Sequence, residues 1–210
     1  PTEFVKFSSR ISVNRRRVLY LMHVDWDWIK QRPHFLAQHL GQRYKLCICY
    51  PFSRIRSLLT RNSRQGLRLW PFVRIRRSPA WIRAPFRQAL RGGVGLVIRI
   101  FRPHCVWLTH PLLYDYLPHK LNLPVVYDCM DDALGFASAG QDAGVLKELE
   151  FKLVERAAHV FCTSTHLYNK LMHRYHCSGK CTLVRNAYDP DFAEPDLDRS
   201  AGIEQISGRV

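Results

Sequence analysis

No apolar run in this 210-residue sequence approaches the roughly 18–20 residues that a helix needs to span a bilayer. A secretory leader is not expected either. After Arg15, Arg16 and Arg17 only residues 18–22 are apolar, short of an h-region of about 7–15 residues. These absences predict a protein that stays in the cytoplasm. Seven cysteines, an odd number, make no disulfide framework. Cys47, Cys49, Cys105, Cys129 and Cys162 lie inside apolar runs, where a reduced cysteine behaves as a small hydrophobe, and this fits a reducing compartment. His173, His176, Cys177 and Cys181 match no usual zinc spacing, so no metal is expected. A G-x-G-x-x-G fingerprint is absent: the R-G-G-V-G at 91–95 lacks both its spacing and a preceding strand. No RNP, KH, helix-turn-helix or zinc-finger pattern occurs, which argues against a nucleic-acid partner.

One further absence is local. Residues 51–104 contain no Asp, Glu or Lys, yet hold 13 Arg, and so supply +13 of the net charge of +15. The rest of the chain is close to neutral. Among these arginines, Arg74, Arg76, Arg77 and Arg83 alternate with aromatic and apolar residues such as Trp70, Phe72, Trp81 and Phe86. Arginine interleaved with Trp and Phe suits the interfacial surface of an anionic membrane. A solvated basic face over core aromatics is the competing reading.

What is present is the composition of an ordinary globular domain, 47% hydrophobic and 23% charged. Short apolar runs alternate with helical periodicity. Strands are predicted at 18–24, 45–50, 67–73, 105–109, 124–129, 159–163 and 181–185. Helices are predicted after Pro33, over 143–157 with Asp142 as N-cap, and over 164–175. Such alternation predicts an α/β fold, a doubly wound and mostly parallel Rossmann-like sheet flanked by helices. Residues 1–17 read as an irregular arm and 18–188 as the domain. Residues 189–210, with six acidic residues and two prolines, read as a linker or tail. Ligands of such sheets bind beyond the carboxyl ends of the strands. That rule selects 25–32 after the first strand, His110, Asp131 and Asp132, 164–166, and Asn186.

Three stretches carry a resemblance. They are W-I-K-Q-R-P-H-F-L-A-Q-H-L at 28–40, V-V-Y-D-C-M-D-D at 125–132 followed by Phe136, and E-R-A-A-H-V-F-C-T-S-T-H-L at 155–167 with L-V-R-N-A-Y-D at 183–189. In this order, over about residues 18–190, the chain resembles the amino-terminal domain of family 4 glycosyltransferases. That family's GT-B fold pairs two Rossmann-like halves. Asp25-Trp26-Asp27-Trp28 stands where many relatives carry Gly-Gly, and Asp131-Asp132 where many carry His-Asp. The resemblance implies an acceptor-binding half, with a carboxyl-terminal donor half beyond Val210 that would hold most of a nucleotide-sugar donor. It implies no cofactor for this domain, which alone would be inactive.

The implied roles follow. Asp25, Trp26, Asp27, Trp28 and Arg32 would bind the acceptor, the carboxylates orienting hydroxyls and the indoles facing sugar rings. Asp131, Asp132 and His110 would act at the reacting centre. Ser164 and Asn186 would contact the donor phosphates. The partners implied are a sugar or lipid-linked sugar and a nucleotide sugar. The composition adds an anionic membrane, contacted through Arg74, Arg76, Arg77, Trp81 and Arg83. The function expected is construction of a cell-surface polysaccharide or glycolipid at the inner face of the membrane. The alternative is a non-catalytic basic α/β module that docks on anionic membrane or polymer.

Overall fold

A computed structural model describes residues 16–52, 67–73, 79–137 and 143–187. The terminal segments 1–15 and 188–210, Arg74, Arg76 and Arg77 of the basic segment, and the Asp142 cap lie outside the described residues. Seven strands form one sheet: β1 (Arg17–Leu21), β2 (Lys45–Pro51), β3 (Arg68–Phe72), β4 (Cys105–Leu108), β5 (Val125–Cys129), β6 (His159–Cys162) and β7 (Cys181–Leu183). Their order is β3-β2-β1-β4-β5-β6-β7, and every pairing is parallel. The doubly wound α/β expectation is met.

Burial on both faces explains the continuous apolar runs of the central strands. On one face Leu19, Leu21, Val106, Leu108, Val125, Tyr127 and Val160 meet three helices. These are α2 (Ala80–Phe101), α3 (Ala143–Arg156) and α4 (Thr165–Tyr175). They contribute Val94, Val97 and Phe101, then Leu153 and Val154, then Leu167 and Leu171. On the other face Val18, Tyr20, Met22, Leu46 and Ile48 pack with Ala37 of α1 (Arg32–Arg43) and with Trp26.

The helix starts follow local chemistry. Pro33 sits in the first turn of α1, where its missing N–H costs nothing. Ser164 caps α4, its hydroxyl accepting the Leu167 N–H at 3.2 Å. The 22-residue α2 was not among the predicted helices, and it carries the R-G-G-V-G sequence in mid-helix. Among the described residues no helix is long and apolar enough to cross a membrane.

Candidate functional site

The strand order reverses between β1 and β4. Connections run outward from that point in both directions, so the carboxyl ends of these two strands mark the place where sheets of this kind form their ligand crevice. Three side chains meet there. The Thr109 hydroxyl accepts the backbone N–H of His23 at 3.1 Å and lies 2.8 Å from His23 Nδ1. The rings of His23 and His110 are 5.0 Å apart. His110 Nδ1 accepts the Leu112 N–H at 3.1 Å, which leaves Nε2 as the protonated, donating nitrogen of the neutral ring. His110 is thus where the sequence placed it. His23 was missed: it was read as a strand residue, and only the strand order makes it a neighbour of His110.

The loop after β1 departs from expectation. Trp26 is fully buried and packs 5.4 Å from the His34 ring, so it offers no face to a sugar. Asp25 and Asp27 are buried as well. Asp25 Oδ1 accepts the Asp27 N–H at 3.1 Å, a turn that folds the loop back on itself. The acceptor-binding expectation is therefore corrected for Asp25, Trp26 and Asp27: the loop turns inward because its indole completes the core. Trp28 is partly buried against the same cluster.

His34 anchors that loop. Its Nδ1 accepts the Gln31 N–H at 3.1 Å, and its Nε2 donates to the Asp25 carbonyl at 3.1 Å. Burial holds the imidazole below its ordinary value of 6.5, against hydrogen bonds to Asp25, Trp26 and Gln31 that raise it. The folded state therefore binds fewer protons than the unfolded chain below that pH, and stability falls as pH drops through about 6.5. Urea melts at two pH values either side of it should show His34→Gln losing less stability on acidification than the wild type. The gap should be on the order of 1 kcal/mol per pH unit. Equal losses would remove His34 from this account.

Arg32 was expected to reach the acceptor. Instead its guanidinium spans to β5. Nε and Nη2 donate to the fully buried Asp128 at 3.0–3.3 Å, and Nη1 donates to Asn186 Oδ1 at 3.1 Å. All three nitrogens are engaged, so Arg32 braces the loop, and Asn186 is held by it. Burial pushes the Asp128 carboxyl up, and Arg32 pulls against that shift. Asp128 was read only as part of a strand.

The two carboxylates after β5 differ. Asp132 is engaged by Lys170. Burial raises its pKa, but Lys170, the Gly135 N–H and Arg174 bring it below the ordinary value overall. A Cβ at Gly135 would stand 2.3 Å from Asp132 Oδ2, so a side chain there would displace the Asp132 carboxylate. Asp131 is exposed, and partial burial raises its carboxyl. Phe136, on the same loop, is 78% exposed, an open aromatic face at the carboxyl edge. Among the described residues no group of three or more His, Cys, Asp or Glu could hold a metal ion.

Neither a protein-family model nor a curated protein matches the sequence. Solved structures do match. Sucrose-phosphate synthase from Thermosynechococcus elongatus superposes with a TM-score of 0.60 at 11% identity, over 83% of this chain and 49% of that one. Anabaena HepE in complex with UDP and glucose gives 0.52 at 12% identity, over 83% and 45%. UDP-N-acetylglucosamine 2-epimerase from Rickettsia bellii gives 0.51 at 9% identity, over 80% and 44%. The chain spans about half the length of these proteins. At such identities the likeness is one of fold. The chain has the Rossmann-like fold that GT-B glycosyltransferases use for one of their two halves.

Proposed function

We propose that the chain is the acceptor-binding half of a sugar-nucleotide-dependent glycosyltransferase that builds a polysaccharide or glycolipid at a membrane surface. The observation that carries this reading is the His23–Thr109–His110 group in the crevice at the strand reversal. Glycosyl transfer develops positive charge on the migrating sugar and negative charge on the departing phosphate. An imidazole N–H fixed by its own ring hydrogen bond, as in His110, is a preorganised donor to oxygen at such a centre. Asp131 and the open face of Phe136 are suited to a sugar, the carboxylate accepting from hydroxyls and the ring stacking on C–H bonds. Ser164 opens α4 at the same edge, where helix N–H groups favour phosphate.

The test is a titration of the 210-residue chain followed by imidazole ¹⁵N spectra. UDP-sugars and short oligosaccharides are added in turn. His23 and His110 should shift together on adding an oligosaccharide, with only weak nucleotide binding and no turnover. Sub-micromolar binding of a nucleotide sugar to this chain would sink the acceptor-half reading. In a protein carrying both halves, His110→Ala should lower turnover by about 100-fold.

A further inference from the structure

The outward face of α2 is apolar. Trp81 is 75% exposed, Leu96 51% and Ile100 66%, while Val94, Val97 and Phe101 on the opposite side enter the core. At 100° per residue Trp81, Leu96 and Ile100 fall within one arc of the helix, and exposed Pro85, Ala89 and Gly92 fill the turns between them. The row is about 28 Å long. Its charges have one sign. The helix contains Arg83, Arg87, Arg91 and Arg99 and no acidic residue, and Arg102 follows it. Arg87 and Arg91 share Asp115 on the inner flank, whereas Arg83, Arg99 and Arg102 are exposed.

We infer that this face of α2 docks, lying flat, on an anionic phospholipid bilayer. This rests on the membrane-surface part of the proposed function and assigns its partner and its contact residues. An exposed apolar row flanked by arginines is what an interfacial helix presents: side chains enter the headgroup region while the guanidinium groups meet lipid phosphates. A nucleic acid would answer the charge but not the apolar row. A second copy would bring like charges face to face. Of the surface residues predicted from sequence, Trp81 belongs to this face, and Leu96, Arg99 and Ile100 join it, whereas the exposed Arg83 projects from the other side of the helix.

The experiment is cosedimentation of the 210-residue chain with phosphatidylglycerol or phosphatidylcholine vesicles at low and high salt. Parallel samples carry brominated lipid to quench tryptophan fluorescence. The chain should bind phosphatidylglycerol at low salt, bind phosphatidylcholine at least tenfold more weakly, and weaken on both lipids with L96Q/I100Q by about tenfold. Quenching should drop with Trp81→Phe. Because these side chains are exposed, L96Q/I100Q should melt like the wild type, which circular dichroism checks. The inference is overturned by no binding to phosphatidylglycerol at low salt or by binding that L96Q/I100Q leaves unchanged. It is also overturned by a dimer in sedimentation equilibrium that L96Q/I100Q dissolves. No sugar takes part in these measurements, so their failure leaves the crevice reading standing, and the imidazole titration can fail without them.

Discussion

Asp128→Ala should destabilise the domain by about 3–5 kcal/mol, because it strands the mostly buried Arg32 guanidinium without its counter-charge. Three hydrogen bonds to the carboxylate vanish together. The reciprocal change has a distinct pH signature. In Arg32→Met the buried Asp128 carboxyl loses the partner that pulled its pKa down, so it rises further. The folded variant then binds a proton more readily than its unfolded chain. Its stability deficit against the wild type should therefore narrow as pH falls from neutral toward the ordinary carboxylate range. Urea denaturation measures both. A loss under about 1 kcal/mol for Asp128→Ala would mean the pair is solvated, contrary to its burial.

Trp26→Ala should cost a similar amount, about 3–5 kcal/mol, as expected for truncating a fully buried aromatic residue. Trp26→Phe keeps most of the volume and should cost about 1.5 kcal/mol or less. These changes separate two roles. An acceptor platform would lose sugar binding at unchanged stability. A core residue loses stability first, and its His34 contact makes the Asp25 turn loosen with it. Paired thermal melts and sugar titrations of both variants decide the matter. Unaltered melting of Trp26→Ala would return the indole to the binding surface.

The fold was legible for a physical reason. In a parallel sheet buried on both faces, each strand is a short apolar run, and all seven runs read from the sequence correspond to strands. α2 was hidden because Pro85, Gly92, Gly93 and Gly95 look like punctuation. It forms nonetheless because Val94, Val97 and Phe101 bury one side of it. Within the site, His110 follows from its place after a strand. The direction of Trp26 could not be read, since a polar loop that turns inward has the same letters as one that turns outward. The partners of Arg32 were equally invisible, because Asp128 lies 96 residues away and Asn186 lies 154. Periodicity within one window carries no trace of such pairings.

The central seam has a consequence for how the molecule assembles. The contact of Arg17 with His104, at the foot of β1 and β4, joins positions 87 residues apart. The other strand pairs close much shorter stretches of chain, as in Val106 beside Val125. Closing a long loop costs entropy before any contact compensates, and non-local pairing slows folding. The β1–β2 and β4–β7 units can each form from nearby chain, whereas the crevice is built only when they join. His23 on one side and Thr109 on the other make it a feature of the finished fold, and a chain halted with its two units formed but apart would hold most of its helices and no crevice.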